Sequence, residues 1–165
     1  MTNLAEDQLV TELAREQVAQ IAPQELPLFR TTSRAYFKDP KKTLEGQAGK
    51  DEKLGFGLEA GVVFLTPVVL EVTKVVVAFL ANEVLKSVQT ESSGLIRDYV
   101  KRMFKKFRPA EKEEQEKAPL LTFEQVTQVR RVAFERARQL DVPEAQAQLL
   151  ADSLAGSLAT TEHKV

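Results

Sequence analysis

Two ionisable residues, Glu71 and Lys74, stand three positions apart inside the most apolar part of the chain. Ionisable groups held in apolar surroundings acquire shifted proton affinities, and catalytic acids, bases and relays are often built that way. The same spacing puts both side chains on one helical face, where they can neutralise each other. The pattern predicts a buried Glu71–Lys74 ion pair of structural use, or two side chains turned to solvent from an otherwise buried helix. Little else in the chain could do chemistry. There is no cysteine, and the single histidine, His163, belongs to the terminal stretch TTEHKV. Thiolate nucleophiles and histidine–cysteine metal sites are therefore out of reach, and neither a cofactor nor a metal is expected. Glu113 and Glu114 are neighbouring carboxylates in a charged run, where nothing separates their proton affinities. The glycine and lysine of GQAGK (46–50) lack the spacing and the following hydroxyl residue of a phosphate loop. An enzyme is the last of the readings this chain supports.

Residues suited to binding are easier to find. The segment 95–108, LIRDYVKRMFKKFR, carries Leu95, Ile96, Tyr99, Val100, Met103, Phe104 and Phe107 as one helical stripe. Arg97, Lys101, Arg102, Lys105, Lys106 and Arg108 occupy the other side against a single acid, Asp98. A helix of this kind can lie in an anionic membrane interface or in the groove of an acidic partner. The bland alternative is a core helix with solvated lysines. Gly57 and Gly61 have the four-residue spacing that lets two helices approach closely, which marks a candidate self-association contact. Nucleic acid is not expected, because a net charge of -1 is far from the strongly basic balance such binders carry. The aromatic cluster Phe29, Tyr36 and Phe37, close to Arg30, Arg34 and Lys38, is better explained by packing than by base stacking.

The elements that position these residues follow from periodicity. The central stretch 55–88 is valine-rich and admits three structures: a transmembrane helix over about 60–81, a buried helix kinked near Pro67, or paired strands. Glu71 and Lys74 oppose insertion, since a charge at the centre of a spanning helix costs roughly 2.5–3.5 kcal/mol while each Val or Leu returns about 0.3–0.6. Strands are disfavoured because apolar and polar residues do not alternate. A buried helix is therefore expected. Around it, 4–21 reads as an amphipathic helix and 25–37 as a second, with Pro27 in its first turn. Residues 38–53 show no period and read as a flexible connector. The run 109–119 is charged and reads as a linker. Thr122 to Gln125 forms a capping box, and two helices over 120–160, turned at Asp141-Val142-Pro143, make an αα-hairpin. Residues 161–165 are expected to be a loose tail.

The sequence thus predicts an all-α helical bundle around a valine-rich central helix, with residues 1–108 as its core and a separable C-terminal hairpin. The expected function is that of a non-enzymatic interaction protein, self-associating or docking on a protein partner. It could touch an anionic membrane surface through 95–108. A membrane-inserting or pore-forming protein is the second reading. MTNLAEDQLV carries acids where a secretory signal carries basic residues, which points to the cytoplasm.

Overall fold

The computed structural model describes residues 4–49, 64–87, 92–107 and 121–159. Among these residues the chain is all-α, with seven α-helices and no strand. Gly57, Gly61, Arg108, the linker 109–119 and the tail 161–165 lie outside the described residues.

Helix α1 (Leu4–Ile21) buries Leu9, Val10, Leu13, Ala14, Gln17 and Val18, the three- and four-residue spacing expected of one core-facing side. A 3-10 turn at Pro23–Glu25 leads into α2 (Leu26–Lys38), which buries Phe29, Ser33 and Tyr36. The expected flexible connector over 38–53 is replaced over most of its length by α3 (Pro40–Gly49). Its start is physically legible in retrospect. Asp39 accepts the Lys42 N–H at 3.1 Å, and Pro40 fills a first-turn position whose N–H would find no helical partner.

Helix α4 (Thr66–Ser87) is the centre of the molecule. Eleven of its residues are buried, and they lie on nearly every side of its first three turns. It packs against α1, α2 and α3 and against two later helices, α5 (Ser93–Arg102) and α6 (Phe123–Gln139). The kink expected near Pro67 does not exist. The helix starts at Thr66, and the Leu65 carbonyl already accepts from Val69 N–H at 2.8 Å. Pro67 therefore sits in the first turn, where its ring meets no preceding helical carbonyl. Phe64 and Leu65 are not helical, so 60–81 is not one continuous helix. The spanning reading is corrected with it: among the described residues no helix is long and apolar enough to cross a membrane.

The basic segment also departs from expectation. Helix α5 stops at Arg102, a second 3-10 turn covers Lys105–Phe107, and Phe104 pairs in a β-bridge with Leu158. Lys105 N–H donates to the Ser157 carbonyl at 3.0 Å, and Ala159 N–H donates to the Met103 carbonyl at 2.7 Å. Unwinding the helix there puts Met103, Phe104 and Leu158 into the core together, each no more than 2% exposed.

The C-terminal pair, α6 and α7 (Glu144–Gly156), forms the expected hairpin. Its capping box is present, with Gln125 N–H on Thr122 Oγ1 at 3.1 Å and Thr122 N–H on Gln125 Oε1 at 2.9 Å. The turn closes with Val142 N–H on the Ala137 carbonyl at 3.1 Å and with Asp141 in the left-handed region, φ 66°. Glycine usually takes that place, and aspartate tolerates it better than most residues. The hairpin does not stand apart. One hydrophobic core runs from Leu9 through α4 to Leu158.

What starts α4 is not local. Glu25, 6% exposed, accepts Leu65 N–H at 2.8 Å on one oxygen, and Thr66 N–H at 2.7 Å and Thr66 Oγ1–H at 2.6 Å on the other. The first N–H groups of a helix have no internal partner and carry the positive end of its dipole, so a buried carboxylate satisfies both needs. Glu25→Ala strips acceptors from three buried donors and should cost about 2–3 kcal/mol in urea unfolding. A loss under about 0.5 kcal/mol would show that water replaces the carboxylate without penalty.

Candidate functional site

Glu71 lies on α4 with its side chain 13% exposed, and it meets two helices at once. Tyr36 on α2 donates its hydroxyl to Glu71 Oε1 at 2.5 Å. Arg136 on α6 donates to Glu71 Oε2 from Nη2 at 2.7 Å and from Nε at 3.2 Å, and its Nη1 donates to Gln139 Oε1 at 3.0 Å. The phenol ring is fully buried and set edge-on to Phe37, with centroids 5.1 Å apart. A planar guanidinium with fixed donors suits a half-buried carboxylate better than a flexible ammonium does. The expected Glu71–Lys74 pair is therefore not formed. Lys74 is exposed on the same helix, and its charge acts instead on Asp7 of α1. There it partly offsets the burial that raises the Asp7 pKa.

Both Glu71 oxygens are engaged. Burial first, then the bond to Glu71 and its negative charge, push the Tyr36 phenol well above the usual tyrosine range. The cluster is a clamp that ties α2, α4 and α6 at one level. Above it opens a cleft of about 640 Å³ between α3 and the end of α6, walled by Lys41, Leu44, Glu45, Leu140 and Asp141 with Glu71 and Arg136 also on its lining. Among the described residues no group of three or more carboxylates or histidines gathers to hold a metal.

The second feature is the outer face of α5 and the turn after it. Most of its apolar side is already occupied: Val100, Met103 and Phe104 are buried, and Ile96, Tyr99 and Phe107 pack against the core, while Leu95 stays 50% exposed. Lys101, Arg102, Lys105 and Lys106 are exposed. Lys101 and Lys106 sit over the Phe107 ring, with Nζ 4.9 Å and 5.7 Å from its centroid. Lys106 also reaches Glu16 of α1 at 3.7 Å. Arg97 lies 3.5 Å from Asp98, and its Nε is buried with no hydrogen-bond partner. Four of the six basic residues singled out in the sequence are thus exposed on this short segment.

Sequence reasoning missed Glu25 and the Tyr36–Glu71–Arg136 clamp. No spacing rule could have found them, because Arg136 and Tyr36 are far from Glu71 along the chain. No sequence signal pointed to Glu25, because Thr followed by Pro is by itself an ordinary self-capped helix start.

Two outcomes test the clamp. In a double-mutant cycle, Glu71→Gln and Arg136→Met should couple by about 1–2 kcal/mol, the partial exposure of Arg136 keeping it below a fully buried pair. Lys74→Gln should change stability by less than about 0.5 kcal/mol; an equal effect would restore the expected pair. The raised Tyr36 pKa also has a sign. Its stability is present below about pH 10, where an unfolded tyrosine titrates, and is lost as pH rises above it, because the unfolded chain then releases a proton the folded one keeps. Tyr36→Phe should flatten that alkaline decline in denaturation curves, and an unchanged slope would contradict it.

Comparison with protein-family models, with curated proteins and with solved structures finds no match for this chain, so its function is argued from this geometry alone.

Proposed function

We propose that the chain is a non-enzymatic helical interaction protein that docks on an acidic protein partner through the exposed basic face of α5 and the turn following it. One observation carries the reading. Most of the apolar stripe of this segment is spent on the core, with Leu95 left half exposed, while Lys101, Arg102, Lys105 and Lys106 are all exposed. A surface of charge without an accompanying free apolar stripe favours steering and register on a partner of opposite sign. It disfavours insertion into a lipid interface, which depends on an apolar face to bury. Contact with anionic lipid would then rest on charge alone, worth about 1 kcal/mol per basic residue near the surface. The clamp at Glu71 supports the same class of function, since its ionisable groups hold one another and the helices. A self-association contact at Gly57 and Gly61 falls on residues outside those described.

The test uses the purified full chain and a labelled glutamate-rich peptide, with phosphatidylserine vesicles as a parallel arm. Peptide binding should weaken with salt. The combined change Lys101→Gln, Arg102→Gln, Lys105→Gln and Lys106→Gln should lower affinity about tenfold or more at unchanged helicity. Binding to vesicles without binding to peptide, or peptide binding that ignores the four changes, would sink the proposal.

A further inference from the structure

The basic face does not end at the turn. Lys105 and Lys106 form one wall of a cleft of about 570 Å³ that crosses to α1 and to the last turn of α7, where Ser153, Gly156 and Ser157 line it. Three observations bear on what it could receive. The wall is fixed: the Lys105 N–H to Ser157 carbonyl bond and the Ala159 N–H to Met103 carbonyl bond tie this turn to the end of α7. Lysines on a pinned backbone lose less freedom on binding than lysines on a fraying helix end. Two acids, Glu16 and Asp152, line the cleft with the lysines, and both are already matched. Asp152 accepts from Arg130 Nε at 3.0 Å and from Gln148 Nε2 at 3.0 Å, and Glu16 lies 3.7 Å from Lys106. Lys105, by contrast, has no carboxylate within 4.0 Å among the described residues. Last, a Cβ built on Gly156 meets nothing within 4 Å, and the residue is helical rather than left-handed. Its backbone therefore does not require glycine, and glycine in a helix is disfavoured relative to alanine. What the missing side chain leaves is open space along the cleft lining.

We infer that this cleft is the specificity pocket of the docking surface and receives a carboxylate side chain of the acidic partner, opposite Lys105 and over Gly156. The inference rests on the docking function proposed above. A glutamate entering there meets one unmatched ammonium on a fixed wall and open space at Gly156. Its aliphatic stem lies along the backbone of the last turn of α7.

The experiment titrates the same glutamate-rich peptide against Gly156→Ala, Gly156→Gln, Gly156→Glu and the fourfold glutamine variant. Gly156→Ala should raise the melting temperature, because alanine is the better helix former, and should weaken binding two- to threefold. A more stable protein that binds less well cannot be explained by unfolding. Gly156→Gln should weaken binding further by filling the cleft, and Gly156→Glu about tenfold by placing beside Lys105 a carboxylate that pairs with it and repels the incoming one. If the fourfold variant loses binding but all three Gly156 variants bind as the parent does, the pocket is overturned and the docking face stands. If the fourfold variant still binds, the docking function fails and the pocket falls with it.

Discussion

Valine-rich α4 has buried residues on nearly every side, so little water reaches its first turn, and Glu71 is left only partly open to the cleft beside α3. Polar groups in such a place must be matched by protein or they oppose folding by several kcal/mol. Two matches, both supplied from a distance, meet that demand at the helix start and at Glu71, whereas the buried Thr73 Oγ1 has no hydrogen-bond partner among the described residues. Glu25 caps the helix start from the turn before α2, and Arg136 with Tyr36 closes on Glu71 from α6 and α2. Each match fixes where another helix must lie. The capped end sets the approach of the Pro23–Glu25 turn. The clamp sets the height of α6, which runs antiparallel to α4 and meets it again where Gln125 Nε2 donates to Glu83 Oε1 at 2.9 Å. That bond, together with Lys86, lowers the Glu83 pKa against the opposing effect of burial.

With α4 enclosed, the remaining helices divide their surfaces between core and solvent, and α5 shows the consequence for function. Its apolar residues had two possible uses, a membrane or the molecule's own interior. The interior takes all but Leu95, and it does so by breaking the helix after Arg102 so that Phe104 can pair with Leu158. The basic residues are left outside on a short, pinned segment rather than along an uninterrupted amphipathic rod. A lipid-embedding helix and a charged docking face look the same in sequence; they differ in whether the apolar stripe is still available.

Much of the architecture was legible in the residues. The all-α class followed from three- and four-residue spacing in α1, α2, α6 and α7. The hairpin followed from the Thr122–Gln125 box and from the stop at Asp141-Val142-Pro143. The enclosed central helix followed from the charges within it, which make a bilayer a poor home. Three local expectations went astray for one reason. Proline at position 67 can kink a helix or open one, Asp39-Pro40 can begin a helix or continue a loop, and 95–108 can run unbroken or unwind. Short-range pattern permits both outcomes in every case, and the neighbours decide.

The sequence alone settled most of the residues that leave water, since burial of apolar side chains depends on their chemistry and their spacing along a helix, although Leu95 on the basic segment stays half exposed. It also settled that no cysteine or histidine cluster exists to do metal or thiol chemistry. Tertiary structure decided who meets whom. Glu71 chose Arg136 over Lys74, Glu25 found the start of α4, and Lys105 N–H found the Ser157 carbonyl. Those pairings join positions far apart along the chain, and only the packing of α4 among its neighbours brings such groups within the few ångströms over which hydrogen bonds and ion pairs act.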